Sequence, residues 1–397
     1  MAGVTPISDV PDAPTIGTAT DTSDYTSTKI SLTFTAATTG GAVTTFTATS
    51  TPGSITGTSA SSPITVSGLT SGTAYTFTVS GANSTATGAA SAASNSVTPL
   101  QPTRNGYVVG GQISAAPGST GSIERLAFSN DAITTLGASL AVARGYFPGF
   151  ANSGTAGYVV GGVSSAVDVS TISKLAFTTE TTSNLSATTA TTYLANAMGM
   201  ANSGTAGYYA GGYHTGGVRV STITKLIFSN DSLSVISAKL SIERSTGGGL
   251  ANSGTAGYFV GGANGATWFS RIDKLTFSND SVSSLSAGYP PSYPEGAVGF
   301  ANSGTAGYLQ GSGLGETSIH KLTFSNDSIT TLAATVSTSL SNGSGFANSG
   351  TAGYWATGQT KSTVNKLTFS GETRSIVSNT ITIPRNFSAG FANSANL

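Results

Sequence analysis

Few residues in this chain are of types that could do chemistry, and their spacing limits what they could do. There are two histidines, His214 and His320, and no cysteine. The histidines stand in different repeats at different repeat positions, so neither has a partner in register for acid–base work or metal binding. Arg144, Arg244 and Arg385 each precede by six residues an aromatic or aliphatic residue that opens a strand. Such a trio could cluster around an anion, but hydrogen bonding at strand edges is the favoured reading. Asp131, Asp231, Asp280 and Asp327 each end a Ser-Asn-Asp triplet. One carboxylate per turn is too few for calcium, so Asn and Asp read as turn formers. Segments such as GYVVGG are not followed by the Lys-Ser/Thr and helix that a phosphate loop needs. No catalytic residue, cofactor or metal is expected, and the chain reads as non-enzymatic.

Composition says what must hold these residues in place. With 52 glycines and only 8% charged residues, long helices are disfavoured and many short strands joined by turns are expected. Seventeen Phe, 14 Tyr and 2 Trp supply the apolar surface to fold them. Sixteen basic residues balance 16 acidic ones, so no field draws in nucleic acid or an anionic membrane. The start, MAGVTPISDVPDAP, has no secretion-signal pattern, and no apolar run is long enough to insert in a membrane.

From residue 105 the sequence repeats. A Gly-Tyr pair recurs at Gly106, Gly157, Gly207, Gly257, Gly307 and Gly353, and a Phe closes a later strand-like run at Phe128, Phe177, Phe228, Phe277, Phe324 and Phe369. Each repeat encodes four short antiparallel strands, roughly GFANS, GYVVGG, ISKLAF and SITTL. Gly149, Gly199, Gly249, Gly299, Gly345 and Gly390 sit just ahead of the residue that opens the first strand, where crowding of innermost strands leaves no room for a side chain. The first Gly-Tyr strand lacks a GFANS strand before it, and the last GFANS lacks a Gly-Tyr strand after it. The strand around Phe391 is therefore expected to pair with Tyr107–Val109, leaving no free edge. The apolar strand ending in Gly-Gly, the period near 50 residues and the three arginines resemble kelch-type propellers, although the tryptophan that usually follows the third strand is missing. The resemblance implies six blades.

Residues 11–99 stand outside the repeat and resemble a fibronectin type III module. The opening strand PDAPTIGTATD, the runs KISLTFTA and VTTFTATSTPG, and Leu69, Gly72-Thr73 and Tyr75 before a core strand carry the likeness, with Phe34 where such modules usually have Trp. The expected fold is thus all-β: an arm at 1–10, an immunoglobulin- or fibronectin-like sandwich at 11–99, a linker at 100–104 and a six-bladed propeller at 105–397.

In such a blade two loops emerge at each end. ANSGTAG and SND, nearly constant between copies, make one face; loops 112–122, 213–221, 263–271 and 287–297, which vary, make the other. The variable face gathers Tyr213, His214, Arg219, Trp268, Phe269, Arg271, Tyr289 and Tyr293, types suited to recognition and to stacking on sugars. The module order and the lack of cysteine and of a signal resemble bacteriophage virion appendages. The resemblance implies a tail fibre, spike or capsid decoration, assembled in the bacterial cytoplasm, that docks on other virion proteins through its N-terminal module and meets host surface glycans or a receptor through the variable loops. Homo-oligomerisation is a further expectation, and a lectin-like bacterial adhesin is the alternative. The N-terminal module and Leu397 are expected on the ANSGTAG side.

Overall fold

A computed structural model describes residues 10–23, 27–100, 103–113, 118–165, 167–189, 195–213, 217–290, 296–310 and 315–393. His214, Tyr293 and Leu397 lie outside them. All regular structure among the described residues is β, and the chain divides into compact units at Met1–Pro102 and Thr103–Leu397.

The first unit is two three-stranded antiparallel sheets. One orders Thr15–Asp21, Lys29–Thr35 and Ile64–Ser67; the other orders Thr56–Ser59, Thr45–Thr51 and Thr76–Ala82. Strict alternation sends Ile30, Leu32 and Phe34 from one sheet and Phe46, Ala48, Phe77 and Val79 from the other into a shared core. Phe34 fills the expected aromatic position, its ring centroid 4.6 Å from that of Phe46. The Tyr75 hydroxyl accepts a hydrogen bond from the Thr70 amide at 3.0 Å, as a corner tyrosine should. Thr56–Ser59 and Ile64–Ser67 were not foreseen. Each has only four residues, and in the second only Ile64 and Val66 face inward.

Among the described residues, the second unit contains six four-stranded antiparallel sheets. Five are contiguous in sequence, as in Gly149–Asn152, Ala156–Val160, Thr171–Ala176 and Thr181–Thr188. The sixth joins the two ends: Ala389–Ala392 pairs with Asn105–Gln112, placing Phe391 opposite Tyr107, followed by Ser119–Ala127 and Ala132–Ser139. The strand pairing expected for Phe391 is therefore present.

Both glycine series have the same cause, close approach of neighbouring sheets. A Cβ on Gly249 would lie 2.1 Å from the Gly199 carbonyl oxygen, and one on Gly345 2.3 Å from that of Gly299. The Gly-Tyr glycines receive the first-strand side chain of the preceding sheet: a Cβ on Gly207 would meet the Phe150 ring at 2.0 Å, and one on Gly257 the Met200 sulphur at 1.9 Å. The succession continues through Leu250 on Gly307 and Phe300 on Gly353, then Phe346 on Gly106 and Phe391 on Gly157, so it returns to its start. First strands pack side by side in the same order, Ala389–Ala392 lying against both Ser344–Asn348 and Gly149–Asn152.

Candidate binding face

At the end carrying ANSGTAG and SND, polar groups are taken up by the neighbouring sheet. The Asn152 side-chain oxygen accepts from the Gly204 amide at 2.9 Å, and Asn202, Asn252 and Asn302 repeat the contact with Gly254, Gly304 and Gly350. The SND residues form turns, Asn230 accepting from the Ser232 amide at 3.1 Å and Asp231 adopting φ 54°. Their carboxylates also do something the sequence reading did not anticipate. Asp231 accepts from the Tyr158 hydroxyl at 3.1 Å and the Lys174 ammonium at 2.8 Å, both in the preceding sheet. Asp280 holds Tyr208 and Lys225, Asp327 holds Tyr258 and Lys274, Glu372 holds Tyr308 and Lys321, and Glu180 holds Tyr107 and Arg125. Asp131 takes Tyr354 at 2.8 Å and Lys366 at 2.7 Å, joining the last repeat to the first. Each such tyrosine stacks on the repeated Phe of the same neighbour, as Tyr158 does on Phe228 with centroids 5.3 Å apart. Burial foremost raises the Tyr158 phenol to about 12, and the Tyr208, Tyr258, Tyr308 and Tyr354 phenols also lie above their usual value for the same first reason.

The three arginines do not converge. Each is fully buried within one sheet, Arg244 with Asp273 at 2.8 Å and Arg385 with Glu124. Arg144 has a hydroxyl where they have a carboxylate: it donates to the Gly161 carbonyl at 2.8 Å and to Ser173 Oγ at 2.9 Å, and burial lowers it to about 10. His320 is also interior, its Nδ1 3.0 Å from Thr331 Oγ1 and its pKa lowered by burial. No cluster of three or more acidic or histidine side chains suited to a metal occurs among the described residues.

Of the expected recognition residues, those described lie at the other end in separate groups. Tyr213 is half-buried with the Arg219 guanidinium 5.6 Å from its ring centroid. Trp268 is 42% exposed in a short hairpin, Ala263–Asn264 with Thr267–Trp268, and Arg271 is exposed beside the half-buried Phe269. Tyr289, expected among the outward-facing loop residues, is instead buried at 1% exposure. Its hydroxyl donates to the Gln310 carbonyl at 3.0 Å and its ring meets His320 edge-on at 5.2 Å, so burying the aromatic and satisfying its one donor outweighs display.

Between these loops lies a group that the sequence reading missed. Where each fourth strand returns to the next first strand, one residue adopts a left-handed backbone: Tyr146 (φ 62°), Asn196 (55°), Thr246 (60°), Gly296 (73°), Asn342 (59°) and Phe387 (50°). The Asn196 amide donates to the Tyr146 carbonyl at 2.7 Å, Thr246 to Asn196 at 2.8 Å, and Gly296 to Thr246 at 2.5 Å. Asn342 donates to Gly296 at 3.0 Å, Phe387 to Asn342 at 2.6 Å and Tyr146 to Phe387 at 3.0 Å. Six hydrogen bonds thus run head to tail in a complete cycle. The six residues line a recess of about 90 Å³, next to a central cavity of about 250 Å³ walled by all six first strands. The Tyr146 and Phe387 rings stack with centroids 3.9 Å apart, and burial, then Tyr213, raises the Tyr146 phenol. All six stand four residues before the first-strand residue that packs on the next sheet, a spacing visible in the sequence.

Among known proteins, the fibronectin type III domain family matches residues 12–97, so these residues of the first unit form a fibronectin type III domain. No curated protein matches the chain.

Proposed function

We propose that the chain is a non-catalytic display protein: a fibronectin type III domain followed by a closed, six-bladed kelch-like propeller whose variable end recognises a partner. The cyclic succession of sheet contacts, carboxylate clasps and backbone hydrogen bonds supports the propeller. The observation that carries the recognition reading is the contrast between the ends. One end consumes its polar groups on its neighbours; the other leaves Trp268, Val218 and Val167 exposed at 42%, 61% and 67%. We place this protein in a bacteriophage virion, as a tail fibre, spike or capsid decoration whose N-terminal domain docks on other virion proteins while the variable end meets host surface glycans. The module order and the recognition-type loops support that setting. Mass spectrometry of purified virions tests it, and Trp268→Ala tests the face: adsorption to host cells should weaken roughly fivefold or more, by analogy with an aromatic interface anchor. Unchanged adsorption would remove Trp268 from the contact, and absence from virions would remove the setting.

A further inference from the structure

Five residues of the six-residue cycle at the variable end keep side chains on a left-handed backbone, as do eleven further non-glycine positions among the described residues, Thr357 and Thr360 included. A left-handed backbone is free for glycine, tolerable for Asn, and unfavourable for β-branched or bulky residues. At the constant end the ANSGTAG turns use glycine, Gly154, Gly204, Gly254, Gly304 and Gly350 at φ 77–81°, while the turns between third and fourth strands place Asp131, Glu180, Asp231, Asp280, Asp327 and Glu372 on a left-handed backbone. In the cycle the backbone accepts glycine too, as Gly296 shows, yet Tyr146, Thr246 and Phe387 keep side chains there. Strain retained where glycine would relieve it points to a role for the side chain. The same logic holds at Asp131 and Asp231, whose left-handed turns carry the carboxylate clasps.

The side chains also specify what could bind. They form an aromatic wall, Tyr146 against Phe387, with the amides of Asn196 and Asn342 and the Thr246 hydroxyl around the remainder. No acidic or basic side chain among the described residues lines the recess. Among the described residues, the amide oxygens of Asn196 and Asn342 accept no hydrogen bond, and their NH₂ groups make only long contacts at 3.4 Å to Tyr213 and 3.3 Å to Ser341. An aromatic face with uncharged donors and acceptors suits a hydroxylated ring and offers nothing to pair with an ion. At about 90 Å³ the recess is well below the size of a pocket that encloses a drug-sized ligand, so it can engage one terminal residue. We infer that the Tyr146–Asn196–Thr246–Asn342–Phe387 cycle is a binding site for an uncharged terminal sugar. This rests on the recognition reading above and moves its centre from the peripheral loops to the mouth of the central cavity.

Saturation-transfer NMR and calorimetry with glucose, galactose, mannose and N-acetylglucosamine, against glucuronic and N-acetylneuraminic acids, test it. A neutral sugar should bind the full chain at millimolar concentration and the acids should not. Asn196→Gly with Asn342→Gly should weaken binding at least tenfold while the protein melts no lower than the parent, because glycine fits that backbone; Thr246→Gly is the single-site check. Val235→Ala, on the exposed side of the strand Ser232–Lys239, should leave the sugar affinity unchanged. Sugar binding that survives the double glycine variant would overturn the inference and leave recognition by the loops standing. A protein that adsorbs to host cells but holds only the acids, or none of the sugars, would do the same. A protein that holds neither cells nor sugars would overturn both.

Discussion

Asp131→Asn probes whether the last repeat grips the first. Asp131 receives Tyr354 at 2.8 Å and Lys366 at 2.7 Å, residues more than 200 positions away in sequence. Asparagine tolerates the left-handed backbone at φ 55° and can still accept from the tyrosine, so the substitution removes mainly the charge facing Lys366. Exposed ion pairs contribute roughly 0.2–1 kcal/mol and hydrogen bonds to charged groups roughly 1.5–3 kcal/mol. With the lysine and aspartate side chains 24% and 25% exposed, this pair falls between, and the expected loss is about 1 kcal/mol. For a unit of nearly 300 residues that lowers the melting temperature by about 2 °C. Asp280→Asn, which breaks the equivalent contact between consecutive repeats, is the reference. Urea and thermal melts followed by circular dichroism, with the buried Trp355 as a fluorescence reporter, should give equal losses for the two variants. If Asp280→Asn destabilises and Asp131→Asn does not, the ends do not meet and the reasoning fails.

Other outcomes follow from the same contacts. The raised phenols of Tyr158, Tyr208, Tyr258, Tyr308 and Tyr354 favour the neutral form in the folded state, so their contribution is intact below the ordinary value of 10.0. It should decline as pH rises from 10.0 toward about 12, the Tyr158 value, which melts across that range would show as a falling midpoint and a flat one would contradict. Ser173→Asp would give Arg144 the carboxylate that Arg244 has in Asp273, and should stabilise the fold by about 1 kcal/mol in urea; a loss would mean that the added buried charge costs more than the pairing gains. Deleting residues 385–397 removes Arg385, the Phe387 link of the cycle and the strand Ala389–Ala392 together, and should leave the second unit aggregating or unfolded. A truncated chain that melts like the parent would refute the end-to-end pairing.

Much of this architecture was legible because the repeat compares positions with one another. The four strands per repeat and the Phe391–Tyr107 pairing followed from alternation and from the unmatched ends, and the Tyr75 corner from the resemblance to fibronectin type III modules. The clasps were less legible. Tyr158, Lys174 and Asp231 each explained themselves locally, as strand core, strand surface and turn, and only the packing of adjacent sheets brings the three together. Tyr289 misled because its loop is rich in proline and glycine, which says nothing about a single ring folding back onto His320. The cycle at Tyr146 and Phe387 was missed because its regularity is in the backbone: six residues of differing type adopt a left-handed φ of 50–73°, and although their spacing is regular, their types do not announce it.

Closure of the repeats on themselves can be tested directly, because the chain has no cysteine. The Thr135 and Thr382 hydroxyls, both on exposed residues, lie 3.4 Å apart across 247 positions of sequence. Thr135→Cys with Thr382→Cys should form an intramolecular disulfide under mild oxidation of dilute protein, seen as a linked peptide pair by mass spectrometry. It should also raise the unfolding temperature, because the link closes a very long loop in the unfolded chain. Cysteines that stay reduced, or that link only between molecules, would contradict the closed arrangement.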